Sequence, residues 1–294
     1  MSRSAHSFLV GLVGTGIGPS LTPALHEREA DELGLRYLYR RLDLDELRRP
    51  PTAIGELLSA AALAGYDGLN VTHPCKQLVL PHLDELSPDA AALGAVNTVV
   101  LRGGRAVGHN TDWSGFARAF DRGLHDVALD RVVLLGAGGA GAAVAHALLT
   151  LGTARLTVLD VEPRRARALA AALSDRFGGG RAAGDDLSRV AQHVAAADGL
   201  VHATPTGMAA HPGLPLPAEL LRPDLWVADI VYRPLETALV RAARATGCRV
   251  LDGGGMAVFQ AVDAFRLFTG IEPDAERMLA HFGTLVEAPE SRVR

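Results

Sequence analysis

Residues 131–160 read RVVLLGAGGAGAAVAHALLTLGTARLTVLD, and this stretch decides the fold. Arg131–Leu135 is an apolar run of the length and composition of a buried strand. The turn Gly136–Gly141 follows at once, then the small-residue helix Ala142–Leu151, then a second strand, Arg155–Asp160. Strand, turn, helix and strand make a βαβ unit, whose crossover joins parallel neighbours. The turn satisfies G-x-G-x-x-G, which is a weak signal in a chain with 32 glycines. Its context strengthens it, because Asp160 ends the next strand 19 positions after Gly141. That separation lets a carboxylate meet the adenosine ribose of a bound dinucleotide.

The residue types fit that reading. Gly136 allows the tight turn, Gly138 the approach of a pyrophosphate, and Gly141 the close packing of helix on strand. Ala137, Gly139 and Ala140 complete the cradle, and the helix N-terminus adds backbone N–H groups and partial positive charge. A carboxylate at Asp160 accepts ribose hydroxyls and repels a 2′-phosphate, so the expected cofactor is NAD rather than NADP. Arg164 and Arg165 lie just beyond, and they read as a solvated face or as flanking the adenine.

Working outward, the alternation of strands and helices continues. Downstream come a helix at Arg164–Phe177, a loop at Gly178–Gly180, and strands at Gly199–Ala203, Leu225–Ile230 and Arg249–Leu251. Helical patterns follow at Met256–Phe268 and Asp274–Phe282. Upstream, strands are expected at Phe8–Val13, Tyr37–Leu42 and Gly68–Val71, and helices at Leu21–Leu33, Ala53–Ala64, Lys76–Leu80 and Ser114–Leu124. Ala95–Arg102 and Ala106–His109 around Gly103-Gly104 give a hairpin signal. The class is α/β, with a parallel sheet in the second half.

At 294 residues, two domains are expected. Hydrophobic residues make up 48%, enough for two cores. The formal charge of −4 comes without a basic block, which argues against a nucleic-acid partner. Cys75 and Cys248 lie far apart with no metal-binding spacing, as expected of reduced thiols in a cytoplasmic protein without a metal. No run reaches the roughly 18–20 apolar residues of a membrane helix. The first 14 residues, MSRSAHSFLVGLVG, lack a signal-peptide pattern.

Four polar segments stand out in the first 112 residues: Gly18–Pro23, Asn70–Lys76, Gly94–Thr98 and Gly108–Asp112. Each lies at the end of an expected strand or the start of a helix. They supply hydroxyls, carboxamides, an ammonium and a carboxylate, a set suited to a polyhydroxylated ligand, since each buried hydroxyl needs a partner.

With these segments the sequence resembles the shikimate/quinate dehydrogenase family over essentially the whole chain. The motifs are N-V-T-x-P-x-K at Asn70–Lys76, G-A-V-N-T at Gly94–Thr98, G-x-N-T-D at Gly108–Asp112 and G-A-G-G-A at Gly136–Ala140. A-T-P-x-G-M at Ala203–Met208 and D-G-x-x-M-x-x-x-Q-A at Asp252–Ala261 complete them. The resemblance implies a substrate domain at 1–112, rejoined by 257–294, and a Rossmann domain at 113–256.

It implies Lys76 and Asp112 as the catalytic pair, 36 residues apart. An ammonium can pass a proton to or from the substrate oxygen, while a carboxylate orients it and tunes its pKa. Ser20 and Thr22 match paired hydroxyls that hold a ring carboxylate, and Thr22 could also cap a helix. Ser-x-Thr, where biosynthetic members usually have Ser-x-Ser, is similar to the NAD-using quinate/shikimate branch. Asn97, Asp112 and Gln260 would bind ring hydroxyls, Asn70 and Thr72 would shape the pocket, and Tyr232 would border it. Thr204, Gly207 and Met208 would lie along the dinucleotide, and Val231, Gly253 and Met256 near its nicotinamide. His202 stands where the family usually has Asn and reads as scaffold. Asp160-Val161-Glu162-Pro163 replaces the Asn-Arg-Thr of NADP-using members.

The expected activity is NAD-dependent oxidation of quinate and/or shikimate, or the reverse reduction, by a monomer or homodimer. An aminoshikimate dehydrogenase and a non-catalytic NAD sensor are the alternatives, and the presence of both Lys76 and Asp112 argues against the sensor.

Overall fold

The computed structural model describes residues 7–287. The reading of the N-terminus and the end of the returning segment, where they rest on residues 1–6 and 288–294, lie outside the described residues. The chain divides into two compact units. One takes in the chain up to Thr111 together with the segment from Gln260 onward, and the other is Asp112–Phe259.

In the first unit the elements run β1 (Ser7–Gly14), α1 (Thr22–Glu32), β2 (Arg36–Asp43), α2 (Ile54–Leu63), β3 (Gly68–Val71), α3 (Cys75–Leu78), β4 (Glu85–Leu86), α4 (Pro88–Leu93), β5 (Thr98–Arg102) and β6 (Arg105–His109). Six strands form one sheet in the order β2-β1-β3-β5-β6-β4. β1 pairs in parallel with β2 and β3, whereas β3–β5 and β5–β6 are antiparallel. The hairpin closes as its sequence requires. Gly103 and Gly104 have φ of +60° and +76°, the positive values of a two-residue primed turn, and Arg102 faces Arg105.

The sheet is covered on both faces. Val10, Leu12, Tyr37 and Tyr39 enter one cluster with Phe265 and Phe268, while Val13, Leu69 and Val71 enter another with Ile54 and Leu58. The strand alternation puts successive side chains on opposite faces, so β1 is buried on both.

The second unit continues with α5 (Asp112–Leu124), β7 (Arg131–Leu135), α6 (Gly139–Thr150), β8 (Arg155–Asp160), α7 (Pro163–Phe177), β9 (Ala182–Asp186), α8 (Val190–Val194), β10 (Gly199–His202), β11 (Trp226–Asp229), α9 (Ala238–Thr246) and β12 (Val250–Leu251). Its sheet is parallel throughout, in the order β12-β11-β10-β7-β8-β9. Val132 and Leu134 face one core, Val133 and Leu135 the other. Leu134 is fully buried, and truncating such a residue to alanine costs about 2–5 kcal/mol. The strand order reverses between β7 and β10, which opens a crevice at their carboxyl ends.

The described residues end with α10 (Gly254–Thr269) and α11 (Ala275–Glu287). The unit boundary falls inside α10. Met256 belongs to a core of the second unit, and Phe265 and Phe268 to one of the first. α11 is tied to α1 by Arg277, whose Nε and Nη2 donate to the buried Glu29 at 2.8 and 2.6 Å.

The sequence reading differs from this fold at several elements. The strand expected from Ala95 begins only at Thr98, because Gly94 ends α4 in a left-handed conformation and residues 95–97 turn inward instead. β4, α4, β9, α8 and α9 lie in stretches that the sequence reading left without structure. The two units divide one residue before the expected boundary at Asp112 and three after that at Met256. Asp112 is already the first residue of α5, and α10 runs unbroken through residue 256.

Candidate active site

Three of the polar segments, 70–76, 94–98 and 108–111, meet at one end of the first sheet. The parallel β1 and β3 bring Gly14 and Val71 to that end. The antiparallel β5 starts there, with Thr98 opposite both Asn70 and His109. Backbone bonds then lock the segments together: Val71 N–H to Asn97 O (2.8 Å), Val96 N–H to Lys76 O (2.9 Å) and Asn97 N–H to His109 O (3.1 Å). Lys76 sits in the single turn of α3, half-buried. Asp112 follows Thr111 directly and is buried at the start of α5.

Side chains complete this frame. Asn97 is 3% exposed. Its Oδ1 accepts the Thr111 N–H (2.7 Å), and its Nδ2 donates to Thr111 Oγ1 (2.9 Å). Asn110 Nδ2 donates to Ala95 O (3.0 Å). Asn70 Oδ1 takes the Tyr39 hydroxyl (2.7 Å), and its two amide hydrogens go to Asn97 O and Thr98 Oγ1 (3.2 and 3.0 Å). Both Asn70 donors are therefore committed to the fold. Thr72 is half-buried against Gly14, where an added Cβ would overlap its methyl.

Ser20 and Thr22 lie at the start of α1. Leu21, not Thr22, occupies the cap position, and no side chain caps that helix, so the capping role considered for Thr22 does not occur. Ser20 Oγ accepts the Thr22 N–H (3.3 Å). The loop before them is held by an acid that sequence reasoning passed over. Buried Asp43 accepts the N–H groups of Gly16 (3.2 Å) and Ile17 (2.8 Å). Its only sequence-level sign is its place at the end of a strand. Gln260 is half-buried on α10, in the first unit.

In the second unit the glycine turn lies at the carboxyl end of β7. Gly136 has φ +103°, and an added Cβ there would come within 2.5 Å of Ala203 O. One at Gly141 would overlap Gly136 O. These two glycines are required by the protein's own packing. Gly138 and Gly139 instead face open space, with no described residue within 4 Å of an added Cβ, and a ligand can approach their backbone there. Ala137 and Ala140 are half-buried between them.

Asp160 is 9% exposed. Its Oδ2 accepts the Ala137 N–H and its Oδ1 the Glu162 N–H, each at 2.8 Å. A carboxylate offers about four lone-pair sites, so two remain after it has shaped the turn. Arg165 is exposed and pairs with Glu162 at 2.9 Å, while Arg164 is exposed. The basic side chains past the strand are thus partly neutralised from within.

Across the switch point lies the loop after β10. Gly207, at φ +95°, donates its N–H to His211 O (2.7 Å), and Met208 is exposed. Gly253 packs its backbone against Ile230 O and Val231 O, where a Cβ would come within 2.5 and 2.6 Å. Val231 and Met256 are buried. Burial pushes the Tyr232 phenol up and Arg233 beside it pulls it back. His202 is buried and bonded at both ring nitrogens, as scaffold would be. Its partner Asp229, and Thr237 bonded in turn to Asp229, were missed because they lie far along the sequence.

Both cysteines are free and buried. Among the described residues no cluster of His, Cys, Asp or Glu is placed to hold a metal ion, and no helix is long and apolar enough to cross a membrane.

These features define a two-domain α/β protein with a Rossmann-type nucleotide-binding domain. The family described as the shikimate dehydrogenase substrate binding domain matches residues 12–99, and the shikimate 5'-dehydrogenase C-terminal domain matches residues 253–281. A shikimate dehydrogenase (NADP(+)) of Streptomyces avermitilis is 68% identical over 95% of this chain and 96% of its own. A quinate/shikimate dehydrogenase (NAD(+)) of Corynebacterium efficiens is 53% identical over 95% and 99%. The structure of quinate dehydrogenase from Corynebacterium glutamicum in complex with NAD superposes with a TM-score of 0.91, at 50% identity over 95% and 99%. The chain belongs to the shikimate/quinate dehydrogenase family of oxidoreductases.

Proposed function

We propose that this protein is an NAD-dependent alcohol dehydrogenase that interconverts quinate and/or shikimate with the 3-dehydro compound. The observation that carries the cofactor choice is Asp160, a buried carboxylate at the end of β8 with lone pairs to spare for ribose hydroxyls. Its charge opposes a 2′-phosphate, and Glu162 pairs with Arg165 just beyond it. The competing cofactor is NADP, the one named for the S. avermitilis relative. NAD is named for the C. efficiens relative and is bound in the C. glutamicum structure.

The second unit fits a dinucleotide on its own geometry. The open backbone at Gly138 and Gly139, at the N-terminus of α6, suits a pyrophosphate. Ala137, Ala140, Thr204, Gly207 and Met208 would line its path, with Val231, Gly253 and Met256 toward the nicotinamide. When bound, the nicotinamide accepts or returns the hydride.

The chain's own residues handle the rest. Lys76 moves the proton at the substrate oxygen and Asp112 supports its charge. Ser20 and Thr22 hold the ring carboxylate, held in turn by the loop that Asp43 anchors. Asn97, Asp112 and Gln260 take ring hydroxyls, and Tyr232 borders the pocket as a neutral phenol. Asn70, with its amide hydrogens spent, shapes the pocket together with Thr72. Two free, buried cysteines suit a cytoplasmic enzyme.

Steady-state kinetics of quinate and shikimate with NAD and with NADP test the reading. Higher kcat/KM with NAD is expected, and an NADP preference would reject the cofactor assignment. Lys76→Ala is expected to lower kcat by about 10²- to 10⁴-fold while leaving NAD binding intact. Near-normal turnover would remove Lys76 from its role.

A further inference from the structure

His202 is the last residue of β10, paired with Leu135 on one side and Asp229 on the other. Its side chain is completely buried, yet it lies one residue from the loop that faces the glycine turn. Nδ1 is 2.9 Å from Asp229 Oδ1, and Nε2 is 2.5 Å from Thr204 Oγ1. Asp229 Oδ1 also takes the Val231 N–H (3.1 Å), and its Oδ2 takes the Thr237 hydroxyl (2.7 Å). Thr237 in turn caps α9 through the Val240 N–H (3.1 Å). A Thr–His–Asp–Thr chain therefore runs from the loop after β10 to the start of α9.

The donor and acceptor inventory gives this chain a direction. Asp229, as a carboxylate, only accepts, so His202 Nδ1 carries the hydrogen. Nε2 of a neutral ring is then an acceptor and takes the Thr204 hydroxyl proton. The Thr204 oxygen also accepts the Thr206 N–H (3.3 Å), which leaves it one lone pair. Thr204 lies beside the glycine turn, its methyl 3.0 Å from where a Gly136 Cβ would stand.

We propose that His202 is a positioning residue that fixes the polarity of the Thr204 hydroxyl, so that Thr204 offers a bound nicotinamide dinucleotide an acceptor. The matching ligand group is a ribose hydroxyl or a carboxamide N–H, not a phosphate oxygen. This inference rests on the dinucleotide reading of the second unit.

Two isosteres separate the halves of the relay. In His202→Asn the amide nitrogen replaces Nδ1 and keeps Asp229 partnered, but nothing reaches Thr204. In His202→Gln the amide oxygen replaces Nε2 and reaches Thr204, while Asp229 loses a donor. The full-length variants are to be titrated with NAD and with NADP, assayed at saturating cofactor, and melted.

His202→Asn is expected to weaken cofactor binding about fivefold, the effect of one ordinary hydrogen bond, with kcat within about twofold of wild type. Thr204→Val is expected to weaken cofactor binding by a similar factor, and the double variant to bind no worse than either single one. His202→Gln is expected to bind cofactor as wild type does but to melt at a lower temperature. Wild-type affinity in His202→Asn, or additive losses in the double variant, would overturn the relay and leave the dinucleotide reading standing. A wild-type protein that binds neither NAD nor NADP would overturn both.

Discussion

Two buried residues carry tests of their own. Asp160 shapes the glycine turn through two backbone N–H groups and is the charge assigned to cofactor choice. Asp160→Asn removes the charge, and its one amide oxygen keeps one of the two backbone N–H bonds. The ratio of kcat/KM for NAD over NADP is expected to fall roughly tenfold, in line with the loss of a charge-assisted hydrogen bond. An unchanged ratio would move the cofactor choice elsewhere. His26 is the second case. It is fully buried among Tyr37, Tyr39, Phe265 and Phe268, with Nδ1 2.9 Å from the Tyr37 hydroxyl and, among the described residues, no partner at Nε2. Burial pushes its pKa down to about 3 from 6.5. Above pH 6.5 the ring is neutral in both folded and unfolded chains and contributes no pH dependence. As pH falls from 6.5 toward 3, only the unfolded chain takes up the proton, so stability drops by about 1.4 kcal/mol per pH unit, or about 2 kcal/mol at pH 5. Denaturation of wild type and His26→Asn at pH 7.5 and 5.0 reads this directly. The variant should lose about 2 kcal/mol less than wild type between the two, and equal losses would show that the ring titrates in the folded protein.

At the level of elements, the β7–turn–α6 unit makes opposite demands on neighbouring glycines. A methyl at Gly141 collides with Gly136 O, so Gly141→Ala must displace the turn or the helix. A melting temperature several degrees lower is expected, as for a loss of about 1–3 kcal/mol from overpacking. Gly138 faces open space, so Gly138→Ala should melt as wild type does; if the proposed cradle holds, the methyl would stand in the path of the pyrophosphate and raise KM for the dinucleotide. A destabilised Gly138→Ala with normal KM would refute the cradle. This unit was legible in sequence because its strands are apolar and β-branched and its turn is marked by glycine. β9 was not, since Ala182-Ala183-Gly184-Asp185-Asp186 carries no strand-forming side chain. It exists as an edge strand through parallel pairing with β8 and through Gly184 lying against the backbone of α7. α9 did carry readable signals, Thr237 as cap and Gly247 in a left-handed stop, but they flank only nine residues. The polar segments were legible one at a time. Their mutual bonds, such as Asn97 with Thr111 and Asp43 with Ile17, join residues that only the sheet register brings together.

For the whole molecule, the proposed function gives each ligand its own unit. The substrate segments 70–76, 94–98 and 108–111 lie in the first unit, and the glycine turn, Asp160 and residues 204–208 in the second. Each unit has its own hydrophobic clusters, so each has a local stability for a ligand to raise. A ligand at about 100 times its Kd stabilises the state that binds it by about 2.7 kcal/mol, equivalent to a roughly hundredfold slowing of amides that exchange through opening of that unit. Hydrogen exchange of the full chain should therefore give two maps. NAD alone is expected to slow exchange first at residues 136–141 and 204–208. Shikimate or quinate alone is expected to slow it at residues 70–76 and 94–98. Protection by shikimate centred on the glycine turn, or by NAD centred on Asn70–Lys76, would reverse the assignment of ligands to units. Asn97 is the most informative position, because its carboxamide is already bonded to Thr111 in the protein alone. A ligand there adds to an ordered frame, so the protection gained should reflect binding rather than folding of the segment.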